Sequence, residues 1–100
     1  MTIDEARALL DDYRVLIDDV DRRIVDLLNE RTRVVEEIGR VKKHSELPVY
    51  EPKREEQVFA NIIGHNGGPL SPEAVRRIFE RIIDEARSIQ RVRMAQDGDK

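Results

Sequence analysis

The sequence predicts an all-α protein of three helices, long, short and medium. Three observations carry that prediction. From Thr2 to Ser45 there is no proline and a single glycine, Gly39, while apolar residues recur at helical spacing. Pro52 and Pro72 each stand where a helix can begin, and apolar residues at helical spacing follow both. Nowhere does the chain show the period-two pattern of a half-buried strand.

The first helix is expected over about residues 4–45. Thr2 followed by Glu5 resembles a capping box, and Asp4 and Glu5 suit the positive end of a helix dipole. Leu10, Ile17, Ile24 and Ile38 form one heptad row; Tyr13, Val20, Leu27, Val34 and Val41 form the second. At about 100° per residue, Arg31 falls within this apolar arc, Lys42 close beside it and Arg14 at its edge. Arg22, Arg33, Arg40 and Lys43 point elsewhere and read as solvated charges. A cation in a seam needs an anion to meet it. An acid on another helix would serve, as would a snorkelling stem that leaves the charge in water, or an anionic ligand. Gly39 is either a weak point in the helix or a site of close approach by a neighbouring backbone or ligand.

His44 to Tyr50 loses the helical period and contains Pro48, so it reads as a connector. Glu51-Pro52 then opens a second helix over about 52–63, with Val58, Phe59, Ile62 and Ile63 on its apolar side. Arg54 and Glu55 lie at the entrance of that face, where a local salt bridge or a dipole complement would also explain them. Gly64 to Leu70 is turn-rich and has neither the Gly-Lys-Ser/Thr nor the preceding strand of a phosphate loop. Ser71-Pro72-Glu73 begins a third helix over about 72–94, with Val75, Ile78, Phe79, Ile82, Ile83, Ala86 and Ile89 on the buried side. Gln90 continues that row, although a glutamine near a helix end is usually half exposed. Residues 95–100 are expected to fray.

Length and composition fit one domain spanning residues 1–100. Hydrophobic and charged residues each make up 39%, and the net charge of −3 gives no reason to expect a nucleic-acid partner. With no cysteine, neither a disulfide nor a thiolate metal site is possible. His44 and His65 have no metal-ligand spacing. The first residues carry no signal-peptide pattern, and no apolar run is long enough for a membrane span, so the expected location is the cytoplasm.

A helix of about 40 residues would be roughly 60 Å long, against a radius of gyration of about 13 Å for a compact domain of this size. The remaining residues could not cover its stripe at both ends. A second copy of the chain is the simplest cover, which makes an intertwined helical homodimer the expected assembly.

The inward-looking polar set is Arg14, Arg31, Lys42, Arg54, Glu55 and Gln90. It offers no nucleophile paired with a base, so covalent catalysis is poorly supported. Its excess of cations suits a small dianion such as a dicarboxylate. Arg14 and Arg31 are roughly 25 Å apart along one helix, too far for one small metabolite, so Arg14 would come from the partner chain.

In order, the segments Arg14, Asp21 to Arg31, Ile38 to Lys42, Pro48 to Glu55, Gly67 to Pro72 and Phe79 to Gln90 resemble the all-helical chorismate mutase family. The match covers roughly residues 5 to 92. The resemblance implies an intertwined homodimer that rearranges chorismate to prephenate, on the branch toward phenylalanine and tyrosine, without cofactor or metal. It implies that the partner's Arg14 and Arg31 bind the two carboxylates, and that Lys42 and Gln90 reach the ether oxygen where negative charge develops. It further implies that Glu55 accepts the ring hydroxyl, with Arg54 and Glu51 completing that end. Ala86 stands where some relatives carry a serine that helps hold a carboxylate, a loss of about 1 kcal/mol. Glu51 stands in place of a common aspartate.

Isochorismate pyruvate lyase and a mutase of 4-amino-4-deoxychorismate use similar pockets, and Glu55 could accept from a hydroxyl or an amine alike. A non-catalytic dimerisation or regulatory module would keep the buried cations for structure. A pathway enzyme could also dock on the dimer. Because glutamine needs no proton to donate, the Gln90 role predicts a rate that varies weakly around neutrality. A steep loss between about pH 5 and about pH 8 would count against it.

Overall fold

The structure is a computed structural model and describes residues 1–98. It is all-α, with helices α1 (Ile3–His44), α2 (Pro52–His65) and α3 (Pro72–Gly98) and no strand among the described residues. The chain divides into two compact units, Met1–Arg33 and Val34–Lys100.

In the first unit the Thr2 hydroxyl accepts from the Glu5 amide at 3.1 Å, one half of the expected capping box. The heptad rows stay exposed on the single chain: Ile17 retains 57% of its surface and Leu27 63%. Burial within the chain therefore does not explain why these positions are apolar.

In the second unit the buried residues of α1 are Val35, Gly39 and Lys42. Each lies one residue beyond a heptad position, next to Val34, Ile38 and Val41, which are exposed. The face that packs inside the chain is thus rotated by about 100° from the heptad stripe, a second face that the sequence reading did not separate from the first. The helix carries two neighbouring faces, and the wheel emphasises the one richer in large side chains. Val35 joins Phe59, Val75, Ile83 and Ala86 as the buried apolar residues. Arg76 on α3 stacks over the Phe59 ring of α2 with its guanidinium carbon 4.2 Å from the centroid. Arg93 on α3 meets Glu36 on α1, with Nε 2.8 Å from Oε2.

The helix ends follow local chemistry. After His44 the chain closes in a Schellman turn, in which the Leu47 amide donates to the Lys42 carbonyl at 2.9 Å and the Glu46 amide to that of Lys43 at 3.4 Å. Glu46 occupies the left-handed position with φ 55°. Helix α2 extends to His65, slightly past the expected end, and Asn66 then organises the loop: its side chain donates to the Leu70 carbonyl and accepts from the Gly68 amide. Ser71 caps α3, accepting from the Ala74 amide at 3.1 Å. Helix α3 runs to Gly98 rather than ending near residue 94. Met94, Ala95 and Gln96 are good helix formers with no breaker among them, so residues 95–98 are helical; the expected fraying of residues 99 and 100 lies outside the described residues.

Glycine is the natural occupant of a left-handed cap, so Glu46→Gly is expected to raise stability by about 1 kcal/mol. Urea unfolding of the parent and the variant measures it.

Candidate functional site

Helix α2 begins at Pro52, and Glu51 is its cap residue by position, yet the Glu51 side chain makes no capping hydrogen bond. Its carboxylate turns to Lys42 instead, with Oε1 3.1 Å from Nζ. Lys42 also donates to the Val49 carbonyl at 3.1 Å. Lys42 is 8% exposed, so this is a buried ammonium compensated by one acid and one carbonyl. An ammonium has three N–H donors; two are engaged, and the third can serve an anionic or ether oxygen. The acid on a neighbouring element, one of the pairings open from the sequence, is therefore present.

One helical turn before Lys42, Gly39 lies against α3. A Cβ built on it would stand 3.4 Å from the Gln90 Cα and 3.7 Å from its Cβ. Of the two readings of this glycine, close approach of a neighbouring backbone is the one observed. Gln90 itself is 7% exposed rather than half exposed, because Gly39 lets the two helices meet there. Its Oε1 is buried with no hydrogen-bond partner. An unmatched buried amide oxygen costs about 1–3 kcal/mol, and such a group in a native fold calls for an explanation. Ala86, one turn earlier on α3, is buried too and supplies no polar group.

Glu55 follows Glu51 by one turn of α2, its amide donating to the Glu51 carbonyl at 3.1 Å. Its carboxylate faces Arg87 of α3, with Nε 3.1 Å from Oε2 and Nη2 3.4 Å from Oε1. Arg87 Nη2 also donates to Asp84 at 2.9 Å, and the Tyr50 ring centroid lies 5.5 Å from its guanidinium carbon. The Nε–H of Arg87 is buried and makes no well-aligned hydrogen bond, so the contact with Oε2 is an ion pair more than a directed bond.

The second unit thus contains Lys42 on α1, Glu51 at the cap of α2, Glu55 on α2, and Ala86 and Gln90 on α3. Arg54, which the α2 wheel put in line with Val58, is exposed on the single chain, because the first turn projects beyond the face packed within it. Arg14 and Arg31 belong to the first unit. Arg14 is exposed, with Asp11 3.5 Å away, and Arg31 is half-buried. Sequence reasoning passed over Arg87. Its position one turn before Gln90, on the same side of α3 as Ile83, was the available signal. Among the described residues no cluster of His, Cys, Asp and Glu could hold a metal, and no helix is long and apolar enough to cross a membrane.

Residues 13–91 match the family model described as chorismate mutase type II. The chain belongs to the type II chorismate mutase family. A bifunctional chorismate mutase/prephenate dehydratase of Stutzerimonas stutzeri is 38% identical over 92 residues, which are 87% of this chain and 24% of that protein. The chain thus spans about a quarter of the length of such bifunctional relatives. Among solved structures, a chorismate mutase (form II) from Thermus thermophilus superposes with a TM-score of 0.80 at 38% identity, covering 82% of this chain and 93% of that one. The chorismate mutase from Helicobacter pylori, solved in complex with prephenate, gives 0.81 at 26% identity, covering 88% and 96%.

The close approach of Gly39 to the Gln90 backbone makes this contact a sensitive point. Gly39→Ala places a methyl at ordinary contact distance and gains helix propensity, so stability should stay level or rise by up to about 1 kcal/mol. Gly39→Val forces the helices apart and should cost about 1–3 kcal/mol. Thermal or urea melts of the two variants distinguish these outcomes.

Proposed function

We propose that the chain catalyses the pericyclic rearrangement of chorismate to prephenate, on the route to phenylalanine and tyrosine. The observation that carries this reading is the buried ammonium of Lys42, one helical turn from the Gly39–Gln90 contact, together with the buried side-chain amide of Gln90, within a chain of the chorismate mutase family. The unmatched Gln90 Oε1 is an acceptor, whereas the Lys42 ammonium and the Gln90 Nε2 group can donate to an ether oxygen. As the carbon–oxygen bond breaks, negative charge grows on that oxygen, and donors already fixed in a dry site stabilise it without reorganising. No proton transfer and no nucleophile is needed, because electrons move around a six-membered ring of the substrate itself. The rest of the work is holding the compact conformer, in which the two reacting carbons lie close together.

In this proposal Arg31, and Arg14 from a second copy, bind the two carboxylates. Glu55 accepts the ring hydroxyl, Arg54 and Glu51 lie around that end, and the Ala86 methyl leaves the carboxylates to the cations. The heptad rows exposed on the single chain support a homodimer, since a second copy would bury them. The enzyme would work in the cytoplasm and use neither metal nor cofactor. A partner enzyme of the same pathway could also dock on the dimer.

Loss of chorismate absorbance with the purified protein, followed by acid conversion of the product to phenylpyruvate, tests the reaction. Lys42→Met should lower kcat at least about 100-fold, the range for removal of a charge-stabilising donor. It should remain folded by circular dichroism, because Glu51 is partly exposed and its carboxylate can rehydrate. Parent protein that is folded and dimeric but inactive would sink the proposal. Sedimentation analysis should report two chains per particle.

A further inference from the structure

We infer that Arg87 sets substrate specificity at the ring-hydroxyl end of the site: by compensating Glu55, it admits a neutral hydroxyl and rejects an ammonium at the same ring position. The inference rests on the proposed role of Glu55.

The geometry places one guanidinium against both oxygens of Glu55, at 3.1 and 3.4 Å. Both side chains are mostly buried, at 29% and 20% exposure, so water screens the pair less than it would a surface pair. Asp84 holds Arg87 from another side, and the Tyr50 ring stacks near it, which fixes the cation in one orientation. Arg76 and Glu80 share the same cleft but pair with each other at 3.4 Å. Arg87 is therefore the counterion of Glu55.

A carboxylate has about four lone-pair directions, so Glu55 can pair with Arg87 and still accept from a hydroxyl. An amine at that ring position carries a proton near neutral pH. Its positive charge would be attracted by Glu55 and repelled by Arg87 a few ångströms further on, while giving up its own hydration. The hydroxyl bears no such charge. Without Arg87, the same carboxylate would be an uncompensated anion and a good partner for an ammonium. Sequence alone leaves hydroxyl and amine equivalent at Glu55; the cation behind it breaks the tie.

The test compares kcat/KM for chorismate and for its 4-amino analogue, near neutral pH, in the parent and in variants. Each preparation is assayed with both substrates, so its folded fraction cancels in the amine-to-hydroxyl ratio. The parent should favour chorismate. Arg87→Gln should raise the ratio at least about tenfold, whereas Arg87→Lys, which keeps the charge, should stay near the parent. A purely structural Arg87 would lower both rates together and leave the ratio unchanged, which would overturn the inference. So would a parent that favours the amine. If Arg87→Gln does not fold, Asp84→Asn, at an exposed position, removes an anion from Arg87 and should lower the ratio further; no change or a rise overturns the inference. A folded parent inactive on both substrates would instead overturn the mutase reading, so the two failures are distinguishable.

Discussion

A single buried ammonium ties together the second unit of this protein. Lys42 closes the end of α1 in two ways: its carbonyl receives the Leu47 amide, and its Nζ reaches the Val49 carbonyl and the Glu51 carboxylate. The connector after α1 is thereby folded back, and the start of α2 is fixed by a side chain of the preceding helix. An unpaired buried cation would be costly. Folding meets that cost with one acid and one carbonyl, and leaves a donor for the chemistry proposed at the ether oxygen. The acid is drawn from the cap position of α2, so that helix forgoes its side-chain cap.

Close approach is the second constraint. Only a residue with no side chain, or at most a methyl, lets α1 lie against the Gln90 backbone as closely as it does. That approach buries the Gln90 amide and leaves its oxygen unmatched, an arrangement with little structural merit. Two polar groups that the fold would be easier to build without are thus both kept inside it. The N–H donors of the two groups, and not the unmatched oxygen, are what the proposed chemistry uses.

Glu55 and Arg87 are a different kind of pair. Their separation of 32 residues spans the α2–α3 loop, so the pairing depends on how Phe59, Val75 and Ile83 seat the two helices. Arg76 stacked on Phe59 stiffens the same contact. Packing, cation–π contact and ion pair reinforce one another along the α2–α3 seam. The carboxylate proposed to read the substrate is therefore set by the core rather than by a loop.

Three helices and their starts at Thr2, Pro52 and Ser71-Pro72 were legible because capping and periodicity are local properties of a few consecutive residues. The ordered segments from Arg14 to Gln90 also carried the family. Tertiary structure decided which of the two neighbouring faces of α1 packs inside the chain, since a helical wheel ranks faces by hydrophobicity and not by what lies opposite. It decided that Gly39 is a contact and not a flaw, that Gln90 is buried and that Arg54 is exposed. It also brought Arg87 to Glu55. Each of these depends on which side chain from a distant part of the chain arrives at a given face, and spacing along one helix carries no information about that.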